Sequence, residues 1–311
     1  MSPRGFLTMA DIPARDWPAV FDRTAALEKH RRTPFWARTF EGKTIALVFE
    51  KNSTRTRVSF EVAAFELGGH AVVLTSDGSQ LARGEPVEDT ARVLASYCDA
   101  IMVRTYGQDR VAAFARASSV PVINGLSDQH HPCQVAADLY TVREQFGRIE
   151  GLRYAWIGDG NNMAQSWIEA AGMFGLDLAL ACPDGYAPDA QMVAAARASQ
   201  VLLGRGSIVL TTDPREAGAG AHVLSTDVWV SMGQGDEETR REVFKPYCID
   251  GALLATAAPD AIVLHCLPAH RGEEITGEVL DGPRSLAWKQ AENRLHVSKA
   301  ILEYVIGVRP A

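Results

Sequence analysis

The chain has few cysteines, no long uninterrupted apolar run and no excess of positive charge. Its five cysteines include no C-x-x-C pair, so we do not expect a disulfide framework. Residues 1–17 lack an apolar core segment, and membrane insertion and secretion are not expected. A net charge of -7, from 31 basic and 38 acidic residues, argues against nucleic-acid and anionic-membrane partners. We therefore predict a cytoplasmic protein.

The length and the pattern of apolar residues predict an α/β protein of two domains. A chain of 311 residues exceeds what one hydrophobic core usually supports. Short apolar runs alternate with helical patterns, which indicates parallel sheets. The strands predicted in the first half are residues 44–49, 71–75, 100–104 and 120–123. Those predicted in the second half are residues 154–157, 177–181, 208–210, 222–226 and 262–265.

Two long helices define the predicted domain boundaries. A helix over residues 131–146 links the domains, and a C-terminal helix over residues 290–306 repeats apolar side chains at helical spacing. Each domain should contain a central parallel sheet flanked by helices. We predict domains at residues 1–147 and 148–289, with the segment 290–311 crossing back to pack on the first domain.

The segment Ser53-Thr54-Arg55-Thr56-Arg57 predicts an oxyanion-binding turn between a strand and a helix. A helix N-terminus offers unpaired N–H groups and the positive end of its dipole, and hydroxyls and guanidinium groups can complete a phosphate site. A simpler alternative is that Ser53 only caps the helix and that the arginines are solvated. Two arginines among three hydroxyls exceed what a cap requires, so we favour phosphate binding.

Polar clusters follow most of the predicted strands, where ligands bind in open parallel sheets. Four motifs then resemble the ornithine-using branch of the aspartate/ornithine carbamoyltransferase family, over essentially the whole chain. They are F-E-K-N-S-T-R-T-R at residues 49–57, H-P-C-Q at 131–134, D-V-W-V-S-M-G at 227–233 and H-C-L-P at 265–268. The resemblance implies carbamoyl transfer from carbamoyl phosphate to the δ-amine of L-ornithine, with no cofactor or metal.

The resemblance also implies a role for individual residues. The residues expected to bind carbamoyl phosphate are Ser53, Thr54, Arg55, Thr56, Gln80, Arg104, His131, Gln134 and Arg294. Those expected to bind ornithine are Asn162, Asp227, Ser231, Met232, Cys266 and Leu267. The expected catalytic residues are Arg55, Arg104, His131, Asp227 and Cys266. Gln80 would enter the site of a neighbouring subunit, which implies at least a homotrimer.

Several residues retain simpler interpretations. Asp227 could cap a helix, Cys266 could fill the core, and Arg294 could be a surface charge on its helix. His131 alone could be a satisfied histidine, although Pro132 places it at a helix start. Cys133 would make the site sensitive to thiol reagents if it were exposed.

Three other functions stay open at this point. A nicotinamide-dependent dehydrogenase is suggested by Gly158-Asp159-Gly160 after a strand, but Met163 stands where the dinucleotide fingerprint requires glycine. A catalytically silent homologue would be expected to lose its charged site residues, and these are present. A carbamoyltransferase for putrescine or an N-acylated ornithine would be expected to alter residues 231–233. An arginine-biosynthetic role is favoured over a catabolic one.

Overall fold

The protein is an α/β protein with two parallel sheets, as the sequence predicts. A computed structural model describes residues 5–33, 38–75, 84–230 and 235–307. The chain divides into two compact units. The first unit comprises Met1–Ala137 and Glu292–Ala311, and the second comprises Asp138–Ala291. None of the helices in the described ranges is both long and apolar enough to cross a membrane.

The first unit is built around a four-stranded parallel sheet in the order β2-β1-β3-β4. Its strands are β1 Thr44–Phe49, β2 His70–Thr75, β3 Ala100–Arg104 and β4 Val122–Leu126. Its helices are α1 Trp17–Lys29, α2 Thr54–Glu66, α3 Val87–Tyr97 and α4 Gln108–Ala117. Short 3-10 turns at Met9–Asp11 and Ala14–Asp16 precede α1. The long helix α5, Pro132–Phe146, begins in this unit and continues into the second.

The second unit contains a five-stranded parallel sheet in the order β7-β6-β5-β8-β9. Its strands are β5 Arg153–Ile157, β6 Asp177–Ala181, β7 Ser207–Thr211, β8 Val223–Thr226 and β9 Ile262–His265. Its helices are α6 Asn162–Phe174, α7 Ala190–Leu203, α8 Pro214–Gly218, α9 Glu237–Phe244, α10 Gly251–Leu254 and α11 Gly277–Leu280. A 3-10 turn, Lys245–Tyr247, follows α9. The helix α12, Ala287–Ile306, begins here and ends in the first unit.

Strand β4 differs most from its predicted position, because it continues through Asn124 and Gly125. These residue types usually interrupt strands. The Asn124 side chain is buried, and its amide donates to the Leu7 carbonyl at 2.9 Å and to Gln108 Oε1 at 3.1 Å. A Cβ atom on Gly125 would lie 2.4 Å from the Met102 sulfur, so glycine allows close packing on β3.

The strand order places two loop clusters at the carboxyl edges of the sheets. In the first sheet the chain direction across the sheet reverses between β1 and β3, and in the second it reverses between β5 and β8. Such a reversal leaves a crevice between the two outgoing loops, where ligands bind in open α/β sheets. The loops that follow β1, β3 and β4 therefore belong to one cluster, and those that follow β5, β8 and β9 belong to another.

Charged side chains on α12 are buried in the first unit. Lys299 Nζ donates to Glu66 Oε2 at 2.9 Å, and the Arg23 guanidinium donates to Glu303 at 2.6 Å and 2.8 Å. His296 is fully buried beside them. Burial, aided by the positive charge of Lys299, lowers the pKa of His296 to about 4. The His296 ring is therefore neutral at physiological pH.

Replacing His296 by leucine tests this neutral state. In the unfolded chain a histidine takes up a proton below its ordinary pKa of about 6.5, which favours unfolding in acid when the folded ring stays neutral. Stability should therefore fall as the pH is lowered from about 8 to about 5, and His296→Leu should remove part of that fall. As the pH is lowered over this range, we expect the free energy of unfolding of the variant, relative to that of the wild type, to rise by about 2 kcal/mol in urea denaturation. The same pH dependence in both proteins would contradict the neutral ring.

Candidate active site

A group of polar and cationic side chains lies at the carboxyl edge of the sheet in the first unit. The strand register places Phe49 opposite Arg104, and Arg104 opposite Leu126. The three strands consequently end at the same level of the sheet. We call the group at this edge the arginine cluster. Its members are Thr56, Arg104, His131, Gln134 and Arg294.

Helix α2 begins at this edge with the predicted capping residue. Ser53 has an extended backbone, and its hydroxyl accepts a hydrogen bond from the Thr56 N–H at 3.3 Å. Thr54 is the first residue of the helix and is exposed, whereas Arg55 is half-buried. Ser53 is therefore a helix cap, and the first turn of α2 directs its N–H groups and positive dipole end towards the arginine cluster. Gln80 lies outside the described residues.

The Thr56 hydroxyl is the centre of the arginine cluster. Arg104 Nη1 donates to Thr56 Oγ1 at 3.4 Å, and Arg294 Nη2 donates to the same atom at 3.2 Å. Arg294 Nη1 also donates to Gln134 Oε1. All four side chains are buried. Arg294 is thus not a surface charge on its helix, and two guanidinium groups from distant parts of the chain meet at one hydroxyl.

His131 completes the arginine cluster at the start of α5. Pro132 is the first residue of that helix, and His131 is buried immediately before it. Burial and the positive charges of Arg294, Arg104 and Arg55 keep the pKa of His131 well below its ordinary value. A neutral imidazole can donate one hydrogen bond to a carbonyl oxygen without adding to the positive charge of the cluster.

Two residues of the loop after β1, neither of which was predicted to belong to the site, support the cluster. Glu50 accepts hydrogen bonds from the Thr105 hydroxyl and from the Arg110 guanidinium. Lys51 pairs with Asp128, in the loop after β4, and its ammonium lies 4.2 Å from the centre of the Tyr106 ring. These contacts connect the loop that carries Ser53 to the loops after β3 and β4.

In the second unit, Asp227 connects the loops after β5, β8 and β9. Asn161 Nδ2 donates to Asp227 Oδ2 at 3.0 Å, and Cys266 Sγ donates to Asp227 Oδ1 at 2.9 Å. The Val228 N–H donates to Asp227 Oδ1 at 2.8 Å. We call Asn161, Asp227 and Cys266 the Asp227 cluster. Asn162 is the first residue of α6, next to Asn161.

Sequence reasoning missed Asn161, although its position was a usable signal. Its side chain caps α6 by accepting from the N–H groups of Met163 and Ala164 while its amide donates to Asp227. Asparagine is among the preferred residues at the N-terminal cap of a helix. The capping role of Asn161 could therefore have been predicted from the sequence. Ser231 and Met232 lie outside the described residues.

A buried pair fixes the loop that carries Cys266 and Leu267. His265 Nδ1 accepts from the Leu267 N–H at 2.9 Å, so Nε2 carries the proton and donates to Glu274 Oε1 at 3.0 Å. His265 and Glu274 are both buried. Leu267 adopts a φ of 59°, a backbone conformation that is unfavourable for leucine and that its hydrogen bond to His265 helps to maintain.

The glycine-containing loop after β5 is used for packing. Gly160 N–H donates to the Tyr186 carbonyl at 2.9 Å, and a Cβ atom on Gly160 would lie 2.3 Å from the Pro188 nitrogen. The Asp159 side chain pairs with Arg240. Close packing of this kind accounts for the glycine without a dinucleotide.

Among the described residues, two groups have side chains of the types that bind metals. The first comprises Glu28, Glu292 and His296, and the second comprises His270, Glu273 and Glu274. The positive charges of Lys299 and Arg31 act on His296 and would also repel a metal cation. In the second group, Glu274 already accepts hydrogen bonds from His265 and from the His270 N–H.

Comparisons with known proteins cover nearly the whole chain. Residues 4–144 match the carbamoyl-phosphate-binding domain of the aspartate/ornithine carbamoyltransferases, and residues 150–305 match their aspartate/ornithine-binding domain. An ornithine carbamoyltransferase of Geobacter metallireducens is 55% identical over 96% of this chain and 98% of its own. The structure of the Pyrococcus furiosus ornithine carbamoyltransferase has a TM-score of 0.93 at 46% identity, covering 98% of both chains. An anabolic ornithine carbamoyltransferase of Campylobacter jejuni has a TM-score of 0.92 at 38% identity, covering 98% of this chain and 100% of its own.

Cys133 should be inert to thiol reagents, despite its position in the H-P-C-Q motif. Its side chain is 1% exposed, and burial raises the pKa of the thiol to about 12. Treatment of the native protein with iodoacetamide, followed by peptide mass spectrometry, should leave Cys133 unmodified. The urea-unfolded protein is the control, in which all five cysteines should react. Alkylation of Cys133 at similar rates in both states would contradict its burial.

Proposed function

Because the chain belongs to the aspartate/ornithine carbamoyltransferase family, we propose that it is an ornithine carbamoyltransferase. It transfers the carbamoyl group of carbamoyl phosphate to the δ-amine of L-ornithine and forms L-citrulline and phosphate. The observation that most supports ornithine as the acceptor is the position of the Asp227 carboxylate. A carboxylate suits an acceptor with a cationic amine. An aspartate acceptor would instead require additional positive charge.

The arginine cluster supports binding and activation of carbamoyl phosphate. As the amine attacks, the carbonyl oxygen gains negative charge and the bond between the carbonyl carbon and the phosphate oxygen breaks. Arg55, Arg104 and Arg294 would stabilise the departing phosphate, while Thr56 and His131 would donate to the carbonyl oxygen. Donors that are fixed before the reaction are usually the largest single catalytic contribution. Ser53, Thr54 and Gln134 would complete the binding of the donor substrate.

The Asp227 cluster supports binding of the amino acid. Asp227 would attract its ammonium groups, and Cys266 with the Leu267 carbonyl would lie near the side-chain amine. That amine must lose a proton before its nitrogen can form the new bond to carbon. Asn162, Ser231 and Met232 would hold the α-amino and α-carboxyl groups.

The organisation of the protein follows from the same proposal. Residues 1–147 with the segment 290–311 would form the carbamoyl-phosphate domain, and residues 148–289 would form the ornithine domain. The enzyme would act in the cytoplasm as a homotrimer in which Gln80 reaches a neighbouring site. A role in arginine biosynthesis is supported by the similarity to the anabolic Campylobacter jejuni enzyme.

Citrulline formation by the purified protein, supplied with carbamoyl phosphate and L-ornithine, tests the function. Parallel reactions contain L-aspartate, putrescine or N-acetylornithine in place of L-ornithine. Arg55→Ala should lower kcat about 100-fold or more, because a charge that stabilises the transition state is lost. Asp227→Ala should raise the KM for ornithine while the KM for carbamoyl phosphate changes little.

Two substitutions outside the proposed site serve as controls. Arg92→Ala removes an exposed arginine that pairs with Asp89 on α3, and Asp189→Asn retains a helix-capping side chain at α7. Both should leave turnover close to wild type. Product from another acceptor would overturn the assignment of ornithine, and the absence of turnover with any amine would favour a catalytically silent protein.

A further inference from the structure

Arg240, on α9, contacts two of the loops that form the Asp227 cluster. Its Nε donates to the Trp229 carbonyl at 2.7 Å, and its guanidinium pairs with the Asp159 carboxylate. Arg240 is 8% exposed. One buried guanidinium therefore connects the loop after β5 to the loop after β8.

Aromatic rings hold this guanidinium in place. Its central carbon lies 4.8 Å from the centre of the Tyr186 ring and 5.1 Å from that of Phe244. Phe244 also stacks on Trp229, with ring centres 6.3 Å apart and 28° between the planes. A planar guanidinium in contact with such rings keeps its donors in fixed directions, which an ammonium group cannot do.

The two loops that Arg240 connects also meet at the Asp227 cluster. Asp159 is two residues before Asn161, and Trp229 is two residues after Asp227. Asn161 and Asp227 are joined by a hydrogen bond of 3.0 Å. Any change in the spacing of Asp159 and Trp229 would therefore be expected to move the Asp227 carboxylate relative to Asn161.

We propose that Arg240 is a positioning residue that fixes Asp227 and Asn161 in the geometry required for ornithine binding. The inference rests on the proposed function and adds a specificity-supporting residue to it. Arg240 does not touch the substrate in this account. It acts through Asp159 and the Trp229 carbonyl.

The packing of α9 does not by itself require this arginine. Phe244 is fully buried on the same helix and belongs to a core that includes Trp229, Tyr247 and Ile249. Apolar side chains of similar volume usually stabilise a core at least as well as a buried ion pair does. The directional bonds of Arg240 are therefore better explained by a requirement for fixed loop geometry.

The test compares Arg240→Gln with Arg241→Gln, its neighbour on the same helix. Arg241 is half-exposed and pairs with Glu237 and Glu273 at the surface. Misplacement of a binding group by about 1 Å can cost up to about 100-fold, so we expect the KM for ornithine to rise about tenfold or more in Arg240→Gln. The KM for carbamoyl phosphate should stay within about twofold of wild type, and Arg241→Gln should resemble wild type in both constants.

Two further variants separate positioning from general destabilisation. Asp159→Ala breaks the same pair from the other side and should reproduce the selective rise in the KM for ornithine. Arg240→Lys retains the charge but not the planar fork, so it should restore only part of the affinity. If Arg240→Gln does not fold, as judged by circular dichroism, Asp159→Ala provides the same comparison.

The outcomes distinguish this inference from the proposed function. Wild-type affinity for ornithine in folded Arg240→Gln or Asp159→Ala, while the wild type forms citrulline, would overturn the positioning role alone. Equal rises in the KM values of both substrates would also overturn it, because they would indicate a general loss of structure. A wild type that forms no citrulline would instead overturn the proposed function, and the inference with it.

Discussion

The burial of like charges around one hydroxyl constrains the first unit. Arg104, the last residue of β3, and Arg294, on α12, both donate to Thr56 Oγ1. Two buried cations that contact the same hydroxyl repel each other. An anion bound between their donors would reduce this electrostatic repulsion. Burial, together with these same positive charges, keeps the pKa of His131 well below its ordinary value, so the ring adds no third cation to the cluster. The charges and donors of the cluster thus suit a multiply charged anion.

The fold was largely predictable because its strands are short, buried apolar runs. Strands β1 and β3 begin and end where the sequence predicts, and every residue of β3 is buried. Strand β4 starts two residues and ends three residues after its predicted bounds, and its end was misplaced because a buried Asn124 is acceptable only with partners from distant segments. Helix α12 starts three residues before its predicted start at residue 290, a difference typical of helix ends.

Most of the predicted site residues stand in short motifs, and the missed residues do not. Arg55 and Asp227 stand in motifs that can be recognised from a short stretch of sequence. Arg240 is 81 residues from Asp159, and it stands in the polar, mostly charged run E-E-T-R-R-E at residues 237–242, which has the composition of a solvated helix. Glu274 is defined by its contact with His265. Supporting residues of this kind are recognised by their tertiary contacts. A single sequence does not show which residues are in contact.

In the second unit the central charge is negative, and it is held by only a few hydrogen-bond donors. Asp227 accepts hydrogen bonds from Asn161, the Val228 N–H and Cys266. Because the Cys266 thiol donates to this carboxylate, it retains its proton in that contact. Cys266 is consequently suited to orienting Asp227 and contacting an amine, and direct attack by the amine needs no thiolate nucleophile. The proposed reaction then depends on the positions of fixed charges and hydrogen-bond donors. Residues outside the motifs, such as Arg240, contribute by holding those groups in position.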